Sequence, residues 1–313
     1  MLTNEFLKGF MQVEKWLAIK DDTPLQIRPD FGIGLVSAVF GRCVEAVGDN
    51  PPWVRPLQAA DSSQAVEQML DQLDLDTLSD QDWVKRVEAT YVYYTEALKA
   101  YPNIAASVAI TLPDLQGPLD NADLIWGSDI FLAVLDNVDL VNRLLTAVSD
   151  TMVLLFERFS RWTTETNMLP AGFCHQHGSI VRGNLLLRCD SCVITGPLTY
   201  DALVFPYDEK TLQRVDGGSF HSCGKWSETA ARVIASPLIG SVDFGLNQSH
   251  LNDVDHIYAL AREHKKHLNL VTPQEDELRS GSLLERFPQG VTFAIEAQDI
   301  KHALVLTDYY RNL

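Results

Sequence analysis

The spacing of apolar residues predicts a helix at the start of the chain. Residues 4–19 repeat apolar positions three or four residues apart, as one buried face of a helix does. The positions on this face are Phe6, Leu7, Phe10, Val13 and Leu17. The polar stretch 21–24, which ends in a proline, predicts the end of the helix. We therefore expect residues 1–25 to form an N-terminal helical extension.

The following part of the chain mixes short apolar runs with amphipathic segments. The apolar segment 27–40 predicts a strand near Ile33. The nearly continuous apolar run 104–112, around Val108, predicts a buried strand of the parallel kind. Helical spacing of apolar residues predicts helices over 84–98, 122–135 and 139–162.

From Phe173 onward, strand-like and helical segments alternate. Predicted strands cover 185–188, 219–223, 241–244, 268–271 and 291–296. Predicted helices cover 200–207, 227–234, 253–264, 281–286 and a last segment from residue 299. Repeated strand–helix units with right-handed crossovers build a parallel sheet. With the strands near Ile33 and Val108, they predict an α/β protein whose single domain, residues 1–313, is a (β/α)8 TIM barrel.

The charge of the chain narrows the range of its partners. The 313 residues include 25 Lys plus Arg and 42 Asp plus Glu, a formal net charge of −17. A nucleic-acid binder needs a basic stripe, and the densest basic cluster here is 264–267. No uncharged apolar run reaches the ~18 residues of a membrane span, and charged residues interrupt the first 20 positions. We therefore expect no nucleic-acid partner, no membrane association and a cytoplasmic protein.

The cysteines introduce the first candidate chemistry. Five cysteines, an odd number, fit a reducing compartment, and four lie between residues 174 and 223. In segment 217–224, His221 and Cys223 stand two residues apart on a predicted strand and so face the same side. An imidazole and a thiolate suit zinc, which favours tetrahedral sites. The alternative is a pair of buried core residues without a ligand.

A second cysteine-rich region precedes this motif. Residues 174–177 read Cys-His-Gln-His, which is either part of a site through His177 or an ordinary strand. Cys189 and Cys192 form a C-x-x-C pair. A zinc knuckle combining that pair with His221 and Cys223 is conceivable but not favoured, because cysteines three apart on a strand face opposite sides.

Carboxylates follow several predicted strands. Asp114, Asp190, Asp243 and Glu296 lie at or just beyond strand ends. In a TIM barrel the active site forms at the carboxyl ends of the strands, and a buried carboxylate there can act as an acid or a base. Taken singly, such a carboxylate is more often structural than catalytic, but Asp190 and Glu296 lie directly at predicted strand ends.

Several stretches resemble the uroporphyrinogen decarboxylase superfamily, in particular its branch of zinc-dependent, corrinoid-linked methyltransferases. The stretches are 28–34 with 40–41, 113–118 with 126–127, 189–191 with 196–197 and 200, 205–207, and 217–224. They follow the family's order, and the His-x-Cys-Gly of residues 221–224 is the most specific. The resemblance implies a (β/α)8 barrel, in agreement with the strand–helix alternation.

The resemblance also implies roles for individual residues. His221 and Cys223 correspond to the zinc ligands of the methyltransferase branch. That branch has a further cysteine near its C-terminus, whereas no cysteine follows Cys223 here. Glu296 is our predicted third ligand, with His177 or Cys189 as alternatives. We expect Asp190, His177 and Asp114 to take catalytic roles, and Gln116, Asp243 and Asn247 to bind the cofactor.

By this resemblance the protein is an enzyme that moves a methyl group from a corrinoid, or a related donor, to a thiol. Its expected partners are a small-molecule substrate and a corrinoid protein, and we expect a monomer or a homodimer. Two alternatives stay open: a metal-free decarboxylase acting on a tetrapyrrole or a smaller carboxylated substrate, and a non-catalytic barrel that binds a corrinoid or another small ligand.

Overall fold

The computed structural model describes residues 2–46, 51–59, 61–163, 170–176 and 178–313. Its helices are α1 (Leu2–Ile19), α2 (Leu35–Val39), α3 (Ser62–Gln72), α4 (Asp82–Leu98), α5 (Pro102–Ala105), α6 (Pro118–Trp126), α7 (Ile130–Asp136), α8 (Val138–Ser160), α9 (Cys192–Thr195), α10 (Pro197–Thr199), α11 (Phe205–Arg214), α12 (Ala230–Ala235), α13 (Val254–Glu263), α14 (Glu275–Ser280), α15 (Ser282–Arg286) and α16 (Ile300–Arg311). Its strands are β1 (Gln26–Ile27), β2 (Val44–Glu45), β3 (Trp53–Val54), β4 (Ala109–Ile110), β5 (Phe173–Gln176), β6 (Ser179–Arg182), β7 (Leu185–Arg188), β8 (Gly218–Ser222), β9 (Ile239–Phe244), β10 (His267–Val271) and β11 (Val291–Phe293).

Five strands form the main sheet, in the order β11-β10-β9-β8-β7. All neighbouring strands in this sheet run parallel. Helices connect each strand to the next, and parallel neighbours joined by helical crossovers define an α/β architecture. The mixed α/β class predicted from the sequence is therefore confirmed.

The first half of the chain adds a second parallel pair, β1 with β4. Two antiparallel hairpins, β2–β3 and β5–β6, are also present. Over the described ranges, the hydrogen-bonded strand pairs do not close into a ring. The structure thus supports a barrel-like α/β fold, whereas the closed eight-stranded barrel stays a prediction.

Three elements differ from the sequence-based prediction. The strand predicted near Ile33 is wrong: β1 ends at Ile27, and the fully buried run Leu35–Val39 is helix α2, because a short buried apolar run shows no period that separates helix from strand. The strand predicted over 104–112 is only Ala109–Ile110, because Pro102 begins the helical turn α5. The helix predicted over 122–135 is divided at Gly127, whose φ of 84° favours glycine.

Helix α8 organises the helical side of the core. Its inner face is fully buried, and α6 and α11 both pack against it. The α6 helix begins with Pro118 at its first turn, where the missing N–H leaves no hydrogen bond unmade. This packing fixes the start of α6, which lies against the carboxyl end of β7.

One row of polar residues crosses the main sheet near its carboxyl edge. Arg188 pairs with His221, His221 with Asp243, and Asp243 with Asn269 in the strand register. All four side chains are largely buried. Buried polar groups need partners, so this row is where specific chemistry is expected.

Among the described residues, no helix is both long enough and apolar enough to cross a lipid bilayer.

Candidate metal centre

His221 lies at the centre of the polar row, on β8. Its side chain is only 1% exposed, and its Nδ1 bonds to the Asp243 carboxylate of the neighbouring strand β9. The other ring nitrogen, Nε2, lies 3.5 Å from Cys223 Sγ and 3.5 Å from Asp190 Oδ1. One nitrogen is thus held by a carboxylate, while the other faces two further potential ligands.

The Asp243 carboxylate also governs the protonation of His221. Burial by itself would lower the pKa of His221, but the charge and the hydrogen bond of Asp243, with the Cys223 contact, outweigh burial and raise it to about 10. The Asp243 carboxylate therefore favours the protonated imidazole. A metal ion at Nε2 takes the place of a proton there.

Cys223 directly follows β8 and is partly exposed. Gly245, just beyond β9, leaves room for its thiol: a Cβ at position 245 would lie 2.7 Å from Cys223 Sγ. Because Gly245 has no side chain, the loop after β9 can pass close to the Cys223 thiol.

Asp190 supplies the third group. It lies two residues beyond β7, and its Oδ1 accepts a hydrogen bond from the Cys223 backbone N–H at 2.5 Å. Its side chain is 45% exposed, in contrast with that of His221. The site is therefore buried on the imidazole side and open to solvent on the carboxylate side.

These three residues fit a tetrahedral metal ion. One ligand atom each from Asp190, His221 and Cys223 lies within 4.8 Å of the others. Zinc bonded to sulfur, nitrogen and oxygen places neighbouring ligand atoms about 3.3–3.6 Å apart, close to the two separations of 3.5 Å observed at Nε2. A carboxylate bonded to the far nitrogen of a metal-binding histidine is also the usual outer partner in such sites. The three ligand types, and the carboxylate bonded to the far nitrogen of the imidazole, therefore suit zinc.

Asp120, which the sequence analysis did not single out, holds the loop that carries Asp190. Its two carboxylate oxygens accept hydrogen bonds of 2.8 Å from the backbone N–H groups of Asp190 and Ser191. Burial, followed by the charge of Asp190, raises the pKa of Asp120 to about 7 despite these hydrogen bonds. No motif in the sequence marks this residue, because its role depends on how α6 packs against β7.

Asp114 and Gln116 lie next to the polar row rather than among the three ligands. Asp114 Oδ2 forms a buried ion pair with Arg188 Nε at 2.9 Å. Gln116 donates to Asp114 Oδ1 from its backbone N–H at 3.1 Å and from Nε2 at 2.7 Å. Burial opposes ionisation of Asp114, but Arg188, Arg28 and the Gln116 hydrogen bonds outweigh it, and the pKa of Asp114 lies below its ordinary value. Asp114 is therefore ionised and anchors Arg188.

Asn247 and Glu296 contact each other on the surface. Asn247 Nδ2 donates to Glu296 Oε2 at 2.9 Å, and both residues are exposed. Glu296 is not one of the three residues whose ligand atoms cluster. Asp190, which we predicted as a catalytic residue, occupies the position that the sequence analysis gave to Glu296.

The other cysteines turn away from this centre. Cys189 Sγ lies 3.7 Å from Asp208 Oδ2, and Cys192 Sγ lies 3.5 Å from Ser222 Oγ. Burial raises the pKa of the Cys192 thiol to about 12 and that of Cys189 well above its ordinary value. Within the residues that the structure describes, neither cysteine belongs to a metal-competent group, which disfavours the knuckle. His177 lies outside the described residues.

Comparisons with known proteins show a likeness of fold. No protein-family profile matches the sequence, and no curated protein matches it either. Among solved structures, a methyltransferase from Methanosarcina mazei is similar, with a TM-score of 0.62 over 92% of this chain and 80% of that chain. The identity is 10%, so the likeness concerns the fold.

Proposed function

We propose that the protein is a zinc-dependent methyltransferase-like enzyme that moves a methyl group to a thiol. The observation that carries this proposal is the cluster of Asp190, His221 and Cys223, with Asp243 behind the imidazole. The cluster lies at the carboxyl ends of β7 and β8, the edge at which parallel α/β folds place their active sites. The fold that the chain shares with a methyltransferase agrees with this proposal.

Each residue of the cluster has a distinct task. The Asp243 carboxylate fixes the imidazole ring so that Nε2 points towards Cys223 and Asp190. Cys223 supplies a thiolate, the softest of the three ligands, which favours zinc over magnesium or calcium. Asp190, half exposed, completes the set on the solvent side and leaves an open direction through which a substrate can reach the site.

A zinc ion held in this way would bind the substrate thiol at its open position and lower the pKa of that thiol. The reaction forms a sulfur–carbon bond, breaks the bond between the methyl group and its donor, and releases the thiol proton. We infer from the family resemblance that the donor is a methylated corrinoid or a related compound. Arg188 and Asp114 neutralise each other beside the site, so the Asp114 carboxylate is already paired.

We also infer that β1, β4 and the five strands of the main sheet are arcs of one (β/α)8-type barrel. The parallel pairing of β1 with β4, the parallel pairing within the main sheet and the helical crossovers support this arrangement. In such a barrel the polar row would lie on the inner surface and the cluster at the mouth.

Elemental analysis tests the metal. Protein purified without a chelator is expected to contain about one zinc ion per chain. His221→Ala and Cys223→Ser remove a ligand and should abolish stoichiometric zinc. His256→Ala on helix α13 and Cys43→Ser are matched controls, because both side chains are exposed away from the cluster, and they should retain it.

Activity tests the reaction itself. Zinc-loaded protein is expected to transfer methyl groups from methylcobalamin to a small thiol, and a chelator should stop the transfer. Zinc that stays bound in His221→Ala would refute the assigned ligand, and transfer that survives complete removal of the metal would refute the zinc-dependent mechanism.

A further inference from the structure

A buried carboxylate outside the metal cluster holds the loop on which one of the proposed ligands lies. We propose that Asp120 is a positioning residue that sets the metal-binding conformation of Asp190. This inference rests on the proposed metal site but concerns a residue that neither the sequence motifs nor the cluster itself includes.

The contacts of Asp120 are both directed at the ligand loop. Asp120 is only 6% exposed, and its Oδ2 and Oδ1 each accept a backbone hydrogen bond of 2.8 Å, from Asp190 and Ser191 in turn. Two neighbouring N–H groups bonded to one rigid carboxylate fix the orientation of the peptide between them.

The segment that carries Asp120 is itself rigid. Asn121 Nδ2 donates to the carbonyl oxygens of Leu115 at 2.8 Å and Gly117 at 3.0 Å, which ties the first turn of α6 to the loop before it. Gly117 lies directly against β7, because a Cβ at this position would be 2.3 Å from the Arg188 carbonyl oxygen. The start of α6 thus serves as a fixed platform beside the ligand loop.

A chain of contacts leads from this platform to the metal ligands. Asp120 holds the backbone of Asp190, and the Asp190 side chain accepts the Cys223 N–H at 2.5 Å. An asparagine at position 120 would keep one acceptor oxygen and place an NH2 group against the second backbone N–H. Such a change should release one end of the loop without altering any ligand.

Asp208 offers a matched comparison. It is a second fully buried carboxylate whose pKa burial raises to about 7, as for Asp120. It accepts a hydrogen bond from the Tyr200 hydroxyl and lies 3.7 Å from the Cys189 thiol. Asp120→Asn and Asp208→Asn both replace a buried carboxyl group by an amide, whereas only Asp120 accepts the backbone hydrogen bonds of Asp190 and Ser191.

Titration of the metal-free protein with Co²⁺ tests the proposal. Asp120→Asn is expected to weaken Co²⁺ binding about 10–100-fold, the usual effect of removing an outer support, and to change the visible absorption of the bound ion. Asp208→Asn should leave both unchanged. Wild-type affinity and spectrum in Asp120→Asn would overturn the proposal, as would equal losses in the two variants.

Amide hydrogen exchange in the unmodified, metal-free protein provides a second measurement, which needs neither metal nor a folded variant. The N–H groups of Asp190 and Ser191 should exchange far more slowly than those of exposed loops, because Asp120 holds them. Rapid exchange would overturn the role of Asp120. Slow exchange in a protein that binds no Co²⁺ would instead refute the proposed metal site, and with it the positioning of a metal ligand.

Discussion

His221 is buried and also borders the candidate metal site, because its two ring nitrogens face different partners. Nδ1 is bound by Asp243, whereas Nε2 faces Cys223 and Asp190 at 3.5 Å each. The spacing of His221 and Cys223 predicts their common direction from the sequence alone. The position of Asp190 could not be predicted in this way. It depends on a loop whose backbone is bonded to Asp120, a residue of helix α6 that lies far from Asp190 in the sequence.

Substitution of Asp243 tests the support of the imidazole. Asp243→Asn keeps a hydrogen-bond acceptor but removes the negative charge that makes His221 a stronger ligand. We expect zinc affinity to fall at least about tenfold, measured by competition with a coloured chelator. Asp255→Asn, which removes an exposed carboxylate paired with Arg286, is the control and should bind zinc as the wild type does. Unchanged affinity in Asp243→Asn would argue against the assigned imidazole geometry.

Thiol labelling distinguishes the five cysteines. Cys43 is exposed and Cys223 partly exposed, whereas burial raises the pKa values of Cys174 and Cys192 to about 12 and that of Cys189 well above its ordinary value. Because the thiolate is the reactive form, the native metal-free protein should be alkylated at Cys43 and Cys223 alone, as peptide mass mapping can show. Zinc should protect Cys223 but not Cys43. Equal labelling of Cys223 with and without zinc would contradict its role as a ligand.

At the scale of elements, the strands of the second half were the most predictable part of the fold. Each of β7 to β11 overlaps a predicted strand, because each is an apolar run bounded by polar loops. The antiparallel pairing of β5 with β6 was not predicted, although a strand over 174–177 was one of the two interpretations of that segment. Glu296 was predicted as a ligand from its place after β11; in the structure it accepts a hydrogen bond from Asn247 at the surface and is not one of the three clustered residues.

The loop after β9 gives a prediction at this scale. In Gly245→Ala the new Cβ would lie 2.7 Å from Cys223 Sγ and 2.9 Å from Gln248 Cγ, so the thiol or the loop must move. We expect zinc affinity to drop about tenfold or more while the circular dichroism spectrum stays native, since the loop follows the strand rather than belonging to it. Tight zinc binding by this variant would show that the thiol is not confined as described.

At the scale of the whole molecule, Asp and Glu outnumber Lys and Arg, which gives a net charge of −17. Few positive groups are therefore expected near any one site. Arg188 is one of them, and its charge is balanced by Asp114. The acidic composition thus agrees with a site for a cation built from a carboxylate, a thiolate and an imidazole. Such a composition could exclude nucleic acid as an expected partner, but it could not locate the site.

The pH dependence of stability offers a global prediction. Burial holds the pKa of Asp208 at about 7, whereas an unfolded aspartate titrates near ~3.9. Between these values the folded protein binds a proton that the unfolded chain has released, so this group makes the free energy of unfolding decrease as pH rises from about 4 to 7. Asp208→Asn, which does not titrate, should show a smaller decrease in urea unfolding over this range. An identical decrease in both proteins would refute the protonated state of Asp208.

We propose that a thiolate, an imidazole and a carboxylate bind one metal ion. X-ray absorption at the zinc edge of the purified protein reports these ligands directly. We expect one sulfur ligand at about 2.3 Å, nitrogen and oxygen ligands at about 2.0–2.2 Å, and loss of the sulfur signal in Cys223→Ser. A zinc ion without a sulfur ligand, or a spectrum that Cys223→Ser leaves unchanged, would contradict the account.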